Sequence, residues 1–305
     1  MPHYDRVNVL LVDNSTGIRD SVREIFHLQG FRNIRLGATL ADVHRALVAP
    51  TPDIMILGAH FDDGDVTDFV RRLRHHEIGD NPFIPVIVMT GAPTAELVKA
   101  VIDSGADDLL TVPLSTAQLV SRVETLVNDR KPFVVTGDYV GPDRRKDKDR
   151  PKDAPKIEVP NTFRSKVTGE PMTVSVQEMI DKAVAEVNVH KLERYAFQIG
   201  WLAERIAPVI EDGKSDKETA DHLDRLVYVC EDAGRRMRGT KYEHVGDLCR
   251  SMLRVAERVN KSMPNPAEKD IRLLMPLSQA IQQGFADVDS AVTAQRIAAS
   301  VEQTK

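Results

Sequence analysis

The first 128 residues alternate between short apolar runs and amphipathic stretches of helical period. The apolar runs, which are rich in β-branched residues, lie at 7–12, 34–36, 54–57, 86–90 and 109–111. The helical patterns lie at 18–28, 40–48, 66–73, 95–104 and 116–127. Nearly continuous apolar strands that alternate with helices indicate a parallel sheet covered on both faces. We therefore predict an α/β doubly wound domain over 1–128, with a five-stranded parallel sheet and a functional crevice at the carboxyl ends of its strands.

The apolar periodicity stops between 129 and 173, where the run GPDRRKDKDRPKDAP at 141–155 mixes prolines with charges of both signs. Such a composition buries too little apolar surface to offset the conformational entropy lost on ordering. We predict a charged, proline-rich linker over 129–173. Two interpretations of YVGPDRR at 139–145 remain open. It is a polar part of the linker, or it is a docking peptide with Tyr139 as aromatic anchor and Arg144 and Arg145 as guanidiniums suited to carboxylates.

Helical patterns resume at 174 and continue to 305. We predict helices at 174–210, 216–238, 241–262 and 266–302. Their one-sided apolar stripes must bury against one another, and short connections favour antiparallel neighbours, so the sequence predicts an all-α helical bundle over 174–305. The first helix carries apolar residues on more than one face, and Trp201 lies within it. We expect Trp201 to be a core or interface anchor, with a homodimer as one candidate assembly.

Composition narrows the classes of function. The chain has 305 residues and a net charge of -5, without the basic footprint of a nucleic-acid-binding domain. The predicted bundle helices are also too long for a helix-turn-helix. No apolar run approaches the ~18 residues of a membrane-spanning helix, and no charged and then apolar leader begins the sequence. We expect a cytoplasmic protein with neither nucleic-acid nor membrane partners.

Four spaced motifs within 7–128 resemble those of two-component response regulator receiver domains. These motifs are LLVDNSTGIR at 10–19, PDIMIL at 52–57, PVIVMTG at 85–91 and GADDLLTVP at 105–113. They are similar, in that order, to the acidic cluster after strand one, the third strand, the fourth strand with its hydroxyl residue, and the fifth-strand turn. The resemblance implies the flavodoxin-like receiver fold and a bacterial role in two-component or phosphorelay signalling.

The same resemblance implies which positions carry the chemistry. In that family an aspartate ending strand three accepts a phosphoryl group, and two acids after strand one hold Mg²⁺. A lysine after strand five pairs with the acyl phosphate. This sequence has Gly58 in place of the nucleophile, Val112 in place of the lysine and Asn14 in place of one acid. We predict a degenerate pseudo-receiver, because glycine cannot be phosphorylated.

Several matched positions are retained. Asp13, Thr90 and Pro113 keep the family's residue types, while Leu109 stands where a switch aromatic is common. We expect Asp13 and Thr90 to be kept for packing and turns, and a residual ion site at these two residues, a vestigial metal ligand in the case of Asp13, is the alternative. No other metal site and no cofactor is expected.

Asp62 and Asp63 could be proposed as substitutes for the missing nucleophile. They follow Gly58 by about four residues, which at strand rise is over ~10 Å of chain. Acids in a loop before a helix usually serve as turn or N-cap residues. We predict that role for both.

Together these patterns predict an atypical bacterial response regulator that is not an enzyme. It would act by phosphorylation-independent protein–protein interaction, through the face of the fourth helix, fifth strand and fifth helix and through the helical domain. The alternative is a phosphorelay auxiliary whose bundle transfers or removes a phosphoryl group on a partner receiver. Helix-borne amides that could serve a phosphatase are Gln279, Gln282 and Gln283. The sequence leaves open whether the helical domain binds, scaffolds or acts on that group.

Overall fold

The predicted apolar runs form a five-stranded parallel sheet in the computed structural model of the chain. The structure describes residues 2–48, 50–144, 156–170, 174–214 and 216–302, with 287–302 as backbone alone. The strands are β1 (Asn8–Val12), β2 (Asn33–Gly37), β3 (Ile54–Gly58), β4 (Val86–Thr90) and β5 (Asp108–Thr111). Their order is β2-β1-β3-β4-β5, with all neighbours parallel. The predicted doubly wound sheet is confirmed.

Five helices cover the two faces of this sheet. They are α1 (Thr16–Leu28), α2 (Leu40–Ala46), α3 (Val66–Arg74), α4 (Ala95–Asp103) and α5 (Thr116–Asn128). Successive strand residues point to opposite faces, so Leu11 packs in one buried cluster with Phe26 of α1, and Leu10 packs in another with Phe69 of α3. Both faces of the sheet are therefore buried at its centre, which explains why the central strands β1, β3 and β4 are apolar at nearly every position.

The segment after α5 differs from the predicted linker. Its described residues form three short strands, β6 (Phe133–Val135), β7 (Val140–Pro142) and β8 (Lys156–Ile157), and a helix, α6 (Thr162–Thr168). The strands pair antiparallel in the order β7-β6-β8. The prediction of a linker over 129–173 is wrong for these residues, because their short apolar runs find partners far away in sequence. Residues 145–155 lie outside the part of the chain that the structure describes.

The partners of this extension lie in the amino-terminal unit. Phe133 packs edge-on against Phe83, which precedes β4, with ring centroids 5.8 Å apart. Phe163 and Val167 of α6 enter the cluster that also holds Phe26 of α1. Lys166 of α6 pairs with the buried carboxylate of Asp53 at 2.8 Å. The extension is therefore part of the amino-terminal fold.

The remaining helices are α7 (Val176–Glu211), α8 (Lys217–Arg236), α9 (Glu243–Lys261) and α10 (Glu268–Glu302). The chain divides into two compact units, Met1–Val187 and Asn188–Lys305, so the division falls inside α7 and not at the predicted 173/174 boundary. The reason is that Ile180 and Ala183 pack with Phe133, whereas residues from Leu192 onward pack with α8, α9 and α10. None of the helices, over their described residues, is long and apolar enough to cross a bilayer.

A buried polar network joins α7 to α8 within the second unit. The Asp232 carboxylate accepts hydrogen bonds from the Tyr195 hydroxyl at 2.6 Å and from Arg236 Nε at 2.8 Å. Lys191 Nζ donates to the Tyr195 hydroxyl at 2.9 Å and lies 3.6 Å from the carboxylate. All four side chains are buried. Burial alone would raise the pKa of Asp232, but Arg236 and Lys191 outweigh it and lower that pKa.

Replacing Asp232 with alanine should lower the free energy of unfolding by about 3–5 kcal/mol, because Lys191 and Arg236 stay buried without that carboxylate. Asp221→Ala, at an exposed position of α8, is the matched control and should change little. The lowered pKa of Asp232 means that its contribution is present above the ordinary carboxyl pKa and lost as pH falls through the lowered one. Urea denaturation at several pH values measures both effects. Equal unfolding midpoints for wild type and Asp232→Ala at pH 7 would contradict this expectation.

Candidate functional site

The carboxyl ends of β1, β3 and β4 bring three of the predicted site residues to one edge of the sheet. Asp13 directly follows β1, while Gly58 ends β3 and Thr90 ends β4. Asp13 and Gly58 are in close contact: a Cβ atom on residue 58 would lie 2.5 Å from Asp13 Oδ2. The Asp13 carboxylate therefore occupies the space that any side chain at position 58 would need.

Local contacts hold Asp13 in this orientation. Its Oδ1 accepts a hydrogen bond from the Ser15 backbone N–H at 2.8 Å, and its backbone oxygen accepts one from Arg19. The residue is only 5% exposed. Burial raises the pKa of the Asp13 carboxyl, although the Ser15 N–H, Arg19 and His60 oppose that rise. The carboxylate thus supports the turn into α1, as expected for a residue kept for local structure.

Thr90 is likewise engaged in a turn. Its hydroxyl accepts a hydrogen bond from the Ala92 backbone N–H at 3.2 Å, and its carbonyl accepts one from Val112 N–H at 2.9 Å. The Val112 side chain packs on an apolar cluster, and Leu109 packs on the cluster of the opposite face. Pro113 is exposed beside them. Position 112, where the resemblance implies a lysine, is therefore apolar and packed on the cluster beside it.

The residues at this edge do not fit a Mg²⁺ ion of the kind that the family resemblance implies. Magnesium requires an octahedral set of oxygen ligands, usually with one or two carboxylates. Asp13 supplies one carboxylate and holds it against Gly58, while Asn14 is an exposed amide. Within the described ranges no three His, Cys, Asp or Glu side chains cluster as metal ligands would.

Asp63 makes its hydrogen bonds away from the edge of the sheet that carries Asp13, Gly58 and Thr90. Its two carboxylate oxygens accept hydrogen bonds from the backbone N–H groups of Leu40 and Ala41, each at 3.0 Å, at the start of α2. These bonds lower the pKa of Asp63. Asp65, two residues later, is the N-cap of α3. Asp63 therefore stabilises the start of α2, whose N-cap is Thr39, and is not itself the N-cap of the helix that follows it; Asp62 is exposed in the same loop.

A second cluster lies at the opposite, amino-terminal end of β5, where residues 139–144 dock on the receiver-like fold; we call these residues the clasp. Arg144 Nη2 donates to the backbone oxygens of Ala106 and Asp107 at 2.6 and 2.9 Å. Gly141 lies so close that a Cβ atom there would be 2.6 Å from Gly105 Cα. The Tyr139 hydroxyl donates to the Pro142 oxygen at 2.8 Å.

The clasp therefore favours the docking interpretation of 139–145. The surface on which it docks belongs to the chain's own domain. One detail differs from the expectation: the guanidinium of Arg144 binds carbonyl oxygens, where carboxylates were expected. The reason is that Arg144 reaches the turn before β5, whose carbonyls point outward there. Arg145 lies outside the described residues.

Below the clasp is an ion network that the sequence patterns do not reveal. Asp107 accepts hydrogen bonds from Arg74 Nη2 and from Arg130 Nε, both at 2.8 Å. The Phe133 ring lies 5.3 and 5.2 Å from these two guanidinium carbons. Arg74 is fully buried, which lowers its pKa to about 10 despite the opposing effect of Asp107. Arg74 lies in the last turn of α3 together with Arg71 and Arg72, and basic residues there are typical of a solvated helix end. No sequence signal therefore distinguishes the buried Arg74 from the other two arginines.

The helical unit places the remaining candidates apart from one another. Trp201 is 38% exposed, with the Arg205 guanidinium 4.1 Å from its ring and His222 edge-on at 5.3 Å. Its interpretation as a core anchor is wrong, because it lies on the outer face of α7. Gln282 of α10 lies against Gly200, where a Cβ atom would be 2.0 Å from Nε2. Gln279 and Gln283 are exposed on α10.

Comparison with known proteins identifies the first domain. Residues 9–124 match the response regulator receiver domain family. Response regulator MprA of Mycobacterium bovis is 27% identical over 126 residues, which cover 41% of this chain and 53% of that protein. The probable transcriptional regulatory protein y4xI of Sinorhizobium fredii is 31% identical over 121 residues, or 40% and 50% of the two chains. The chain thus spans about half the length of the curated relatives it matches.

A solved structure is similar over the same region. The signal receiver domain of a signal transduction histidine kinase from Syntrophus aciditrophicus is 24% identical, with a TM-score of 0.36. The match covers 39% of this chain and 87% of that one. The family match lies at residues 9–124, and each of these relatives covers about two fifths of this chain.

Replacing Gly58 with alanine should destabilise the chain by roughly 1–3 kcal/mol, because the new methyl group overlaps Asp13 Oδ2. The cost should be smaller in an Asp13→Ala background, since the overlapping atoms are then gone. Gly17→Ala is the matched control, because a Cβ atom there would meet only Ser15 Oγ at 4.0 Å. Urea denaturation of the four chains in the cycle measures the coupling. Strictly additive effects would show that Gly58 and Asp13 do not compete for space.

Replacing Gly141 with alanine should loosen the clasp, because the added methyl group would overlap Gly105 Cα and the Tyr139 hydroxyl. The expected cost is again roughly 1–3 kcal/mol. Hydrogen exchange should show faster exchange of β6 and β7 amides with β1 and β3 little changed. Gly17→Ala serves as the control for glycine substitution. Unaltered protection of β6 and β7 would mean that the clasp does not depend on this contact.

Proposed function

Because residues 9–124 form a response regulator receiver domain of the kind used in two-component signalling, we propose that this chain is an atypical bacterial response regulator. It acts by protein–protein contacts and without phosphorylation of its own. The observation that carries this proposal is the Asp13 carboxylate lying against Gly58, where a Cβ atom would be 2.5 Å from Asp13 Oδ2.

Three features support a phosphorylation-independent mechanism. Position 58 offers no carboxylate to attack a phosphoryl donor, and Asp13 occupies the adjacent space. Val112 offers an apolar side chain where an ammonium would have to pair with an acyl phosphate. The Thr90 hydroxyl accepts from the Ala92 N–H, which ties it to its own turn. Nucleophile, cation and switch residue therefore all lack the arrangement that phosphoryl transfer requires.

Protein contacts would use two surfaces. One is the face built by α4, β5 and α5, where Leu109 is half-buried and most outward residues of α4 are exposed. The other is the helical unit, whose α7 exposes Val189, Phe197 and Trp201. Exposed apolar side chains that are grouped on one element are typical of interaction sites. We propose no cofactor and no nucleic acid for either surface.

The alternative, a bundle that acts on a partner's acyl phosphate, has weaker support. Such activity needs an amide or a histidine that is free to approach the phosphoryl group. The Gln282 amide, although exposed, lies against Gly200, and His222 contacts the edge of Trp201; Gln279 and Gln283 are exposed, and exposure is the one feature that favours them. We therefore keep the binding function as the proposal, and the following experiment separates the two.

Incubation of the full chain with Mg²⁺ and a small phosphodonor such as acetyl phosphate should leave its intact mass unchanged. Beryllofluoride, which mimics an acyl phosphate, should leave its melting temperature unchanged, since no aspartate is present at position 58 to bind it. A receiver domain with an intact acidic pocket, treated in parallel, is the positive control. A mass gain of one phosphate that maps to Asp13, Asp62 or Asp63 would contradict the proposal.

The same phosphorylated control receiver tests the alternative. Adding the full chain should leave its rate of dephosphorylation unchanged if the helical unit acts by binding alone. An acceleration that disappears in Gln279→Ala, Gln282→Ala or Gln283→Ala would favour the phosphatase function instead.

A further inference from the structure

The outer face of α7 carries four exposed residues spaced four apart: Glu193, Phe197, Trp201 and Arg205. We call them the α7 strip. Phe197 is 72% exposed and Trp201 38% exposed, although both are large aromatic residues. Aromatic side chains dominate the energetics of protein interfaces, and an adjacent exposed pair on one helix needs an explanation. Among the described residues of the helical unit, the strip is thus a feature that the unit's own core does not explain.

The order of residues along the strip is complementary to its own reverse. It reads acid, aromatic, aromatic, base, and its midpoint lies between Phe197 and Trp201. A two-fold axis through that midpoint would place Phe197 opposite Trp201 of a second copy. The same axis would place Glu193 opposite Arg205 of that copy, twice per dimer. A two-fold interface requires this kind of self-complementarity, in which residue i meets j and j meets i.

The spacing also fits the geometry of helix packing. Residues four apart form a ridge inclined by about 26° to the helix axis, and two such ridges interdigitate at a crossing angle of about 50°. From Glu193 to Arg205 the ridge is about 18 Å long at 1.5 Å per residue. Each step of four also turns about 40° around the helix, so the contact must be local and centred on the aromatic pair. A crossed antiparallel pair of helices satisfies these conditions.

Neighbouring side chains hold the strip in shape before any partner binds. The Arg205 guanidinium lies 4.1 Å from the Trp201 ring centroid, and His222 of α8 meets the same ring edge-on at 5.3 Å. Glu193 lies 3.5 Å from His190, with 53% of its side chain exposed. A preorganised surface loses little conformational entropy on association. The strip therefore combines exposed aromatic area, charge complementarity and low ordering cost.

We infer that the α7 strip is a self-association surface, and that its occupant is the α7 strip of a second copy in an antiparallel, crossed arrangement. This inference deepens the proposed function by naming a partner for the helical unit. The inference takes from the proposed function only the statement that the helical unit acts through protein–protein contacts. A phosphorylated Asp residue would overturn the proposed function and leave this inference intact.

The test uses the full chain and sedimentation equilibrium across the micromolar range at low salt. Wild type should dimerise. Phe197→Ala should raise the dissociation constant by about 100-fold or more, because each truncation counts twice in a two-fold interface. Alanine is a good helix former and Phe197 is exposed, so the helical signal in circular dichroism should persist. A monomeric wild type, or a dimer that Phe197→Ala does not weaken, would overturn the inference.

Charge reversal tests the antiparallel geometry itself. Glu193→Arg and Arg205→Glu should each weaken self-association by about tenfold, since each creates two like-charge pairs per dimer. Mixing these two single variants should restore dimers, because in the mixed dimer both pairs are again of opposite charge. Glu257→Arg and Arg254→Glu, at exposed positions of α9, are matched controls that should leave the dimer unchanged. If the mixture stays as weakly associated as either variant alone, the antiparallel pairing is wrong.

Discussion

Two guanidiniums, those of Arg74 and Arg130, meet on the carboxylate of Asp107 inside the amino-terminal unit. Arg74 also donates to backbone oxygens of Pro82, Ile84 and Gly105, so one side chain ties α3 to the turns before β4 and β5. A buried cation is tolerated only when a counter-charge and hydrogen bonds offset its desolvation. Asp107 supplies that charge, and Arg130 brings the extension into the same network. The placement of β6 and β7, and of Phe133 beneath both cations, depends on this arrangement.

The two ends of the sheet therefore have different roles. At the carboxyl ends, Asp13 fills the space beside Gly58 and takes part in a turn. At the amino ends, the clasp and α6 extend the domain beyond the 9–124 region that the receiver family covers. Arg144 contacts the Ala106 and Asp107 carbonyls directly next to the ion network. At one end of the sheet a carboxylate thus makes a tight contact within its own domain, and at the other end the domain is enlarged.

The helical unit, like the amino-terminal unit, contains a buried network of charged and polar side chains. Its interior includes the Lys191–Tyr195–Asp232–Arg236 network, which sets α7 against α8, and this leaves one face of α7 outward. Tyr195 and Ile199 face the core, whereas Phe197 and Trp201 lie about 200° around the helix from them and remain exposed. The network packs the Tyr195 side of α7 against α8, and the aromatic pair lies on the other side of the helix.

Sequence by itself determined the five strands and five helices of the sheet domain and the four long helices after 174, because hydrophobic periodicity is a local property of each element. It did not reveal β6, β7, β8 and α6, whose apolar runs are short. It also determined that position 58 carries no carboxylate and position 112 no ammonium, since the identity of a side chain decides this. Only the tertiary structure decided that Arg74 is interior, because its counter-charge Asp107 lies 33 residues away. The burial of Phe133 and the exposure of Trp201 were decided in the same way. Which face of a short strand or long helix is covered depends on elements remote in sequence, and no local pattern records them.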